Sequence, residues 1–306
     1  MSASGPVAAI DLGTNSTRLL VVDASGQPLE RLMVITRLGE GVDRTGTLSG
    51  EAMERTINVL VHFRARMDDL GVVRARATAT SAARDADNEG EFTKKVAAVL
   101  DTVPEVLAGE EEAHLTYLGA TSGLEPAEGP YLVIDVGGGS TELVGGRPPG
   151  IHAVSLEMGC VRITERFLAH DPPLRSELDA ARRYVHGLVA GAVELQADLS
   201  GAAKLIGVAG TVSALTRLDQ GLSSYDRSRI HHARLSHDAI ERLFGELARL
   251  NISDRRRWPA LETERAEVII GGTAVLAEAM VVLGFNELTA SESDLLDGVA
   301  AELLAR

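Results

Sequence analysis

The chain has 306 residues, of which 45% are hydrophobic and 24% charged, a composition typical of a soluble globular protein large enough for two domains. Its 30 Lys and Arg residues against 44 Asp and Glu give a net charge of −14, so neither nucleic acid nor an anionic membrane is an expected partner. The single cysteine, Cys160, excludes an intramolecular disulfide and every zinc site built on several cysteines.

The sequence also predicts a cytoplasmic location. The longest stretches without a charged side chain have 12 residues, which is short of the ~20 that cross a bilayer. Residues 1–10 carry no basic flank and no apolar core of signal-peptide length. A lone cysteine fits a reducing compartment, which agrees with these two observations.

The first part of the chain alternates short β-branched runs with longer amphipathic stretches, the pattern of an α/β protein with covered sheets. The predicted elements are, in order, strands at residues 7–10, 19–23 and 32–35, a helix at 51–70, a strand at 72–79, a helix at 91–100, a short strand at 106–107 and a helix at 110–120. Residues at helical spacing define the face of the 51–70 helix that should be buried: Ile57, Val61, Arg64, Met67 and Leu70. Gly71 follows this helix, where a left-handed cap is expected.

Residues 123–130 mix glycine, proline and charge without periodicity and form the predicted linker. After it the opening pattern returns, since residues 9–18 read AIDLGTNSTR and residues 133–142 read VIDVGGGSTE, an offset of 124. Solenoid repeats recur every ~20–50 residues, so this distance indicates a duplicated domain. We therefore predict domains at residues 1–124 and 125–306, with the final helix packing back on the first, and a cleft where two similar domains face one another.

The turn after each repeated strand is suited to bind phosphate. Glycine lets the backbone approach an anion closely and adopt positive φ, so several N–H groups can point at one spot, and nearby hydroxyl groups add donors. The residues predicted to bind phosphate in the two turns are Gly13, Thr14, Asn15 and Ser16, and Gly137, Gly138, Gly139, Ser140 and Thr141. An ordinary polar hairpin is the alternative for either turn alone, and their pairing at domain scale disfavours it.

Two further features could complete such a site. Asp11 and Asp135 end the repeated strands, where a carboxylate would repel a bare phosphate but can hold a divalent cation that bridges to it. Residues 205–215 read as a strand that runs into Gly210 and Thr211 at the start of a helix, where N–H groups can also bind an anion.

These motifs, taken in order, resemble the exopolyphosphatase/guanosine pentaphosphate phosphohydrolase family. They lie at residues 11–18, 79–88, 111–113, 134–143, 158–162, 207–211, 264–266 and 291–298, so the resemblance covers nearly the whole chain. The family belongs to the actin-like ATPase-domain superfamily, and the chain is similar to its short, two-domain members. The resemblance implies an α/β fold of two actin-like (ribonuclease H-like) domains with an interdomain cleft.

The resemblance also implies roles for individual residues. Glu112 matches the family's catalytic base, although composition alone favours a solvated acidic run at residues 110–112. Asp135 and Glu142 match positions that hold metal and water near the scissile phosphate, and hard carboxylate oxygens suit Mg²⁺. We prefer Asp135 as the metal ligand, with Asp11 as the second candidate.

Arginines supply the cationic side of the predicted site, because a planar guanidinium can bind two phosphate oxygens at once. The arginines that lie in matched motifs are Arg84, Arg18 and Arg265, in order of preference. The acid-base cluster at residues 254–258 is instead interpreted as a solvated helix start or loop.

The sequence therefore predicts an Mg²⁺-dependent exopolyphosphatase that releases terminal orthophosphate from inorganic polyphosphate by direct attack of water. Guanosine pentaphosphate hydrolysis is the alternative within the same chemistry. A phosphotransferase of the same superfamily and a non-catalytic sensor of guanosine penta- or tetraphosphate are the alternatives from other classes. The aromatic content of 3% favours polyphosphate over a nucleotide, which needs a base pocket. The short, two-domain form predicts that short polyphosphates are hydrolysed at least as efficiently as long ones, and the resemblance implies a homodimer.

Overall fold

The structure is a computed structural model that describes residues 5–147, 150–196, 199 and 201–305. The strands within these residues are β1 (Val7–Leu12), β2 (Ser16–Val22), β3 (Pro28–Ile35), β4 (Arg74–Ala79), β5 (Glu105–Val106), β6 (Tyr131–Val136), β7 (Thr141–Arg147), β8 (Gly150–Leu156), β9 (Lys204–Val208), β10 (Arg234–Ser236) and β11 (Glu287–Ala290).

The α-helices of the same residues are α1 (Val42–Thr45), α2 (Gly50–Asp69), α3 (Ser81–Arg84), α4 (Glu89–Leu100), α5 (Gly109–Thr121), α6 (Cys160–Phe167), α7 (Arg175–Leu195), α8 (Ala209–Asp219), α9 (Arg227–Ile230), α10 (His237–Ala248), α11 (Ile252–Arg255), α12 (Ile269–Leu283) and α13 (Leu295–Ala305). A short 3₁₀-helix, Pro126–Glu128, lies within the predicted linker, and a second spans Thr263–Glu267. Among the described helices, none is both long enough and apolar enough to cross a membrane.

The chain divides into two compact units, which are Met1–Gly119 with Asp294–Arg306, and Ala120–Ser293. The first unit ends before the predicted boundary at residue 124, and the C-terminal helix α13 belongs to it. The sheet of the first unit has the strand order β3-β2-β1-β4-β5, and that of the second has β8-β7-β6-β9-β11-β10. In both sheets the first strand pairs antiparallel with the second strand and parallel with the fourth. This shared order confirms the predicted α/β fold class and the duplication.

The sheet of the first unit is covered on both faces. Every residue of β1 is buried, and successive side chains point to opposite faces of the sheet. Ala8, Ile10 and Leu12 pack in a cluster with residues of α2 and α4, whereas Val7 and Ala9 pack in a second cluster with residues of α13. The continuous apolar run of β1 therefore reflects a strand buried between two helical layers.

The core of the second unit is one large cluster built on β6 and β9. Leu132 and Ile134 of β6 pack with Val185 and Val189 of α7 and with most of α12. Helix α12 is apolar nearly all round its circumference because almost all of its residues are buried. These packed layers hold the carboxyl ends of β6 and β9, and the turns that follow them, in fixed positions.

The predicted face of the 51–70 helix is partly wrong. The buried side chains of α2 include Met53, Leu60, Phe63 and Met67, whereas Val61 is 55% exposed. The face is rotated from the predicted one because Phe63, which the pattern omitted, is among the largest fully buried side chains. The predicted cap is confirmed, since Gly71 has a φ of 66°.

Helices α5 and α13 of the first unit approach each other so closely that glycine is required at their contact. A Cβ atom at Gly298 would overlap the carbonyl group of Leu115, and one at Gly119 would overlap the carbonyl group of Asp294. Neither position can accept a side chain without moving the backbone of its neighbour.

We therefore expect Gly298→Ala to lower the free energy of unfolding by ~1–3 kcal/mol, the usual cost of overpacking. The matched control is Gly187→Ala in α7, where a Cβ atom would meet nothing within 4 Å. There alanine should stabilise the helix by up to ~1 kcal/mol. Urea unfolding of both variants measures the difference, and equal stabilities would contradict the close contact.

Candidate active site

The turn between β1 and β2 presents backbone N–H groups on one side. The carbonyl oxygen of Thr14 accepts a hydrogen bond from the N–H of Gly39 at 2.8 Å, and that of Asn15 accepts from Thr36 and Arg37 at 3.1 and 3.0 Å. Because a planar trans peptide places the following N–H opposite its carbonyl, the N–H groups of Asn15 and Ser16 point away from residues 36–39. This arrangement is suited to bind an anion.

The turn between β6 and β7 has the same construction with glycine at three positions. The carbonyl oxygens of Gly137 and Gly138 accept hydrogen bonds from the N–H groups of Cys160 and Val161 at 2.8 and 2.9 Å, and the carbonyl of Gly139 accepts from Gly159 at 3.0 Å. The N–H groups of residues 138, 139 and 140 therefore point away from the start of α6. The two turns that the sequence repeat identified are structurally equivalent.

The first turn holds two buried polar atoms that find no hydrogen-bond partner among the described residues. One is Nδ2 of Asn15 and the other is Oδ1 of Asp11. A buried donor or acceptor without a partner is costly and is usually satisfied by water, an ion or a ligand. Both residues were predicted to contact substrate or metal, and these unpaired atoms agree with that prediction.

The two strand-end aspartates differ in their cross-strand neighbours, which are an arginine for Asp11 and a glutamate for Asp135. Asp11 lies opposite Arg18 across the β1–β2 pair, and Oδ2 of Asp11 accepts from Nε and Nη2 of Arg18 at 2.9 and 2.7 Å. Asp135 lies opposite Glu142 across the β6–β7 pair. Burial raises the pKa of the Asp11 carboxyl despite the guanidinium beside it.

The donor set around Asp135 fits Mg²⁺ better than the set around Asp11. Asp135 and Glu142 are both buried, and Oε1 of Glu142 accepts from the hydroxyl of Ser155 at 2.7 Å. Two carboxylates on directly opposite positions repel each other, and a hard cation held by one or both would relieve that repulsion. Among the described residues there is no group of three or more His, Cys, Asp or Glu side chains that could hold a metal. Mg²⁺ commonly needs only one or two carboxylates, with water and substrate oxygens as its other ligands.

Glu112 differs from the two acidic residues before it. It is 8% exposed, whereas Glu110 and Glu111 are exposed, so the acidic run is solvated only in part. Oε2 of Glu112 lies 3.3 Å from Nη1 of Arg84, which also donates to the carbonyl of Leu107 at 2.8 Å. The structure thus brings together two residues that were predicted for the site from motifs 28 positions apart.

Arg18 is held by carboxylates within its own unit. Besides Asp11, it forms an ion pair through Nη1 with Asp294, the residue that precedes α13. All three nitrogens of its guanidinium group therefore bind protein carboxylates, which leaves Arg84 the better placed of the two for phosphate. The phosphate contact of Arg18 stays a prediction.

Two of the predicted hydroxyl groups form hydrogen bonds within the protein, Thr141 as donor and Thr14 as acceptor. Oγ1 of Thr141 is fully buried and donates to the carbonyl of Met158 at 2.9 Å, so its single proton is taken. Oγ1 of Thr14 accepts from the N–H of Ala82 at 3.2 Å, at the first turn of α3. These hydroxyl groups shape the turns, and phosphate binding by the backbone N–H groups stays a prediction.

The third glycine-containing segment, at residues 207–211, lies where β9 ends and α8 begins. Gly210 is in the first turn of α8, directly after β9, and a Cβ atom there would overlap the guanidinium group of Arg265. Thr211 and Arg265 are both buried. The structure therefore places Arg265 of one sequence motif against Gly210 of another, next to Thr211.

Several neighbours of the site were not predicted from the sequence. They are Ser155 beside Glu142, Asp294 beside Arg18, and Glu262 with Arg217 beside Arg265. Arg217 lies in the last turn of α8 and is 5% exposed. Asp294 lies in the matched motif at residues 291–298 without being singled out there, and Ser155, Glu262 and Arg217 lie outside every matched motif.

Comparison with known proteins agrees with this geometry. Residues 4–306 match the Ppx/GppA phosphatase family. The chain is 38% identical over 313 aligned positions to exopolyphosphatase 2 of Mycobacterium tuberculosis, and the alignment covers 97% of this chain and 98% of that protein.

Solved structures give the same result. A Ppx/GppA family member from Aquifex aeolicus superposes with a TM-score of 0.82 at 30% identity, covering 98% of each chain. An exopolyphosphatase from Cytophaga hutchinsonii superposes with a TM-score of 0.88 at 25% identity, again covering 98% of each chain. The resemblance seen in the ordered motifs is thereby confirmed, and the chain belongs to the Ppx/GppA phosphatase family.

Proposed function

We propose that the protein is an exopolyphosphatase that releases terminal orthophosphate from inorganic polyphosphate by attack of water. The observation that carries the proposal is the pair of similar turns in which the carbonyl groups of residues 14, 15 and 137–139 accept hydrogen bonds within the protein, so that the N–H groups of residues 15, 16 and 138–140 point away from those partners and are left for an anion. Its relatives named exopolyphosphatase, one aligned over nearly the whole chain, support the same substrate.

In the proposed mechanism, the N–H groups of each turn bind phosphate oxygens of the polyphosphate chain, and donors of this kind stabilise the negative charge that develops as the terminal phosphoryl group leaves. Glu112 orients the attacking water and accepts its proton, since a carboxylate can do both from hydrogen-bond distance. Arg84, 3.3 Å from Glu112, keeps that carboxylate in place and adds positive charge.

Asp135 would hold Mg²⁺, with Glu142 beside it. When bound, the ion would neutralise phosphate charge and thereby make the phosphoryl group easier to attack. Oδ1 of Asp11, which lacks a protein partner among the described residues, would accept a hydrogen bond from a water of the site. These assignments follow from the burial of the carboxylates and from the charges beside them.

The family name includes a second activity, and guanosine pentaphosphate is therefore the alternative substrate to test. Hydrolysis of its terminal phosphate would use the same turns and the same base. A guanine base needs a pocket that combines apolar or aromatic faces with fixed polar partners. No aromatic side chain occurs in either turn, and the whole chain contains 3% aromatic residues.

We expect a higher kcat/KM for polyphosphate than for guanosine pentaphosphate when both are assayed with Mg²⁺ at equal concentration. Phosphate release from both substrates, with and without Mg²⁺, measures the preference, and a clear preference for the nucleotide would overturn it. ADP release on addition of sugars or acetate with ATP would indicate a phosphotransferase instead. Binding of guanosine tetraphosphate with no phosphate release from either substrate would indicate a sensor.

We further propose a homodimer located in the cytoplasm, on the basis of the family resemblance and of the sequence composition. Sedimentation velocity at micromolar concentration tests the oligomeric state, where a purely monomeric species would contradict the proposal. Fractionation of cells that express the tagged protein tests the location.

A further inference from the structure

The region around Arg265 contains a buried group of charges that the proposed mechanism does not use. Oε1 of Glu262 pairs with Nη1 of Arg217, and Oε2 accepts from Nε of Arg265 at 3.2 Å. Both arginines are 5% exposed, so two guanidinium groups are buried around one carboxylate. In a chain with a net charge of −14, this is a local excess of positive charge.

The contact with Glu262 determines which part of Arg265 remains for other partners. Its Nε is used by Glu262, while Nη1 and Nη2 lie against Gly210, where a side chain would stand if the residue were not glycine. Gly210 is in the first turn of α8, where N–H groups and the helix dipole favour an anion. The start of α8 and the Nη1 and Nη2 groups of Arg265 therefore meet at Gly210.

Without Glu262, the Arg265 side chain would need free energy to adopt the rotamer that places Nη1 and Nη2 against Gly210. An arginine side chain has many rotamers, and two buried guanidinium groups repel each other when no carboxylate separates them. Nε of Arg217 finds no hydrogen-bond partner among the described residues. Glu262 is thus the carboxylate that both arginines share. Glu262 neutralises one positive charge and holds Nε of Arg265 by a hydrogen bond of 3.2 Å.

We propose that Glu262 is a positioning residue, which bridges Arg217 and Arg265 and holds Nη1 and Nη2 of Arg265 at the start of α8 to bind phosphate oxygens of the substrate. The proposal rests on the proposed function, since it assigns Arg265 to phosphate. An acidic side chain is thus expected to improve the binding of an anion.

The test compares Glu262→Gln with Glu264→Gln. Both substitutions remove one negative charge, and Glu264 is exposed and two positions away. If Glu262 acts only through its charge, its removal should lower KM for polyphosphate. If it positions Arg265, Glu262→Gln should raise KM about tenfold, the effect of one hydrogen bond to a charged group, with kcat changed less than about threefold. Glu264→Gln should leave both constants unchanged.

A double-substitution cycle separates positioning from a general structural role. In the background of Arg265→Ala, adding Glu262→Gln should produce no further rise in KM, because the residue through which it acts is absent. An undiminished rise in that background, or a fall in KM in the single variant, would overturn the proposal. If Glu262→Gln fails to fold, Glu262→Asp supplies the same comparison, with a rise in KM expected because the shorter side chain cannot reach both arginines.

Direct binding keeps this proposal distinguishable from the proposed function. Tripolyphosphate binding is measured by calorimetry in the Glu112→Gln background with and without Glu262→Gln, and about tenfold weaker binding is expected in the double variant. Equal affinities would reject the role of Glu262 even if the wild-type protein hydrolyses polyphosphate. Absence of turnover in the wild-type protein would reject the proposed function and leave the binding comparison intact.

Discussion

Replacement of Glu112 by glutamine is expected to lower kcat for polyphosphate by ~10²–10⁴-fold, the range observed when a general base is lost. Glutamine keeps the size of the side chain and one acceptor oxygen, but it cannot take a proton from the attacking water. KM should change little, because both phosphate-binding turns remain intact. Phosphate release under saturating substrate measures the loss.

The matched control for this variant is Glu110→Gln. It removes the same charge from the same helical turn, but Glu110 is exposed whereas Glu112 is 8% exposed and 3.3 Å from Arg84. Its kcat is expected to stay close to that of the wild-type protein. Similar losses at both positions would show that the acidic run acts through its general charge, and the assignment of the base would then be wrong.

The strands and the duplication were predictable because both depend on local sequence. A strand buried on both faces must be apolar at nearly every position, so the runs that became β1 and β6 were visible without any tertiary information. The turns after them contain residues whose chemistry is evident from type alone, above all the three glycines at 137–139. The repeat indicated a duplicated domain, and in the structure the two turns make similar backbone hydrogen bonds.

Side-chain partners across long distances in sequence were not predictable. Arg255, interpreted as part of a solvated cluster, is buried and paired with Asp171, because residues 84 positions apart meet in the folded unit. Asp294 lies 276 positions from Arg18 and still occupies one side of its guanidinium. A local pattern carries no information about such pairs, which depend on where the strands and helices are placed by the core.

The burial of Glu112 was likewise not predictable from the local sequence. Three consecutive glutamates look alike in the sequence, and the direction each one faces depends on how α5 is rotated against its neighbours. Ala113 and Leu115 are buried in the first unit, and this fixes the rotation that buries Glu112. Only the family resemblance distinguished it from the two exposed residues before it.

Asp135→Asn is expected to abolish turnover or to raise the Mg²⁺ concentration for half-maximal activity by at least about tenfold, because an amide oxygen lacks the charge that holds a hard cation. Removal of divalent ions with a chelator should abolish the activity of the wild-type protein. Full activity in chelator would contradict the role of the ion.

Asp11→Asn is the informative comparison, since Asp11 occupies the equivalent position in the duplicated turn. Its carboxylate is already paired with Arg18 at 2.7 Å, whereas Asp135 faces the like-charged Glu142. A divalent cation gains more from a site with two carboxylates than from one whose charge an arginine balances. Asp11→Asn should therefore leave the Mg²⁺ concentration for half-maximal activity nearly unchanged, even where it lowers kcat. A shift in the Mg²⁺ requirement for Asp11→Asn, with none for Asp135→Asn, would place the ion at the first turn.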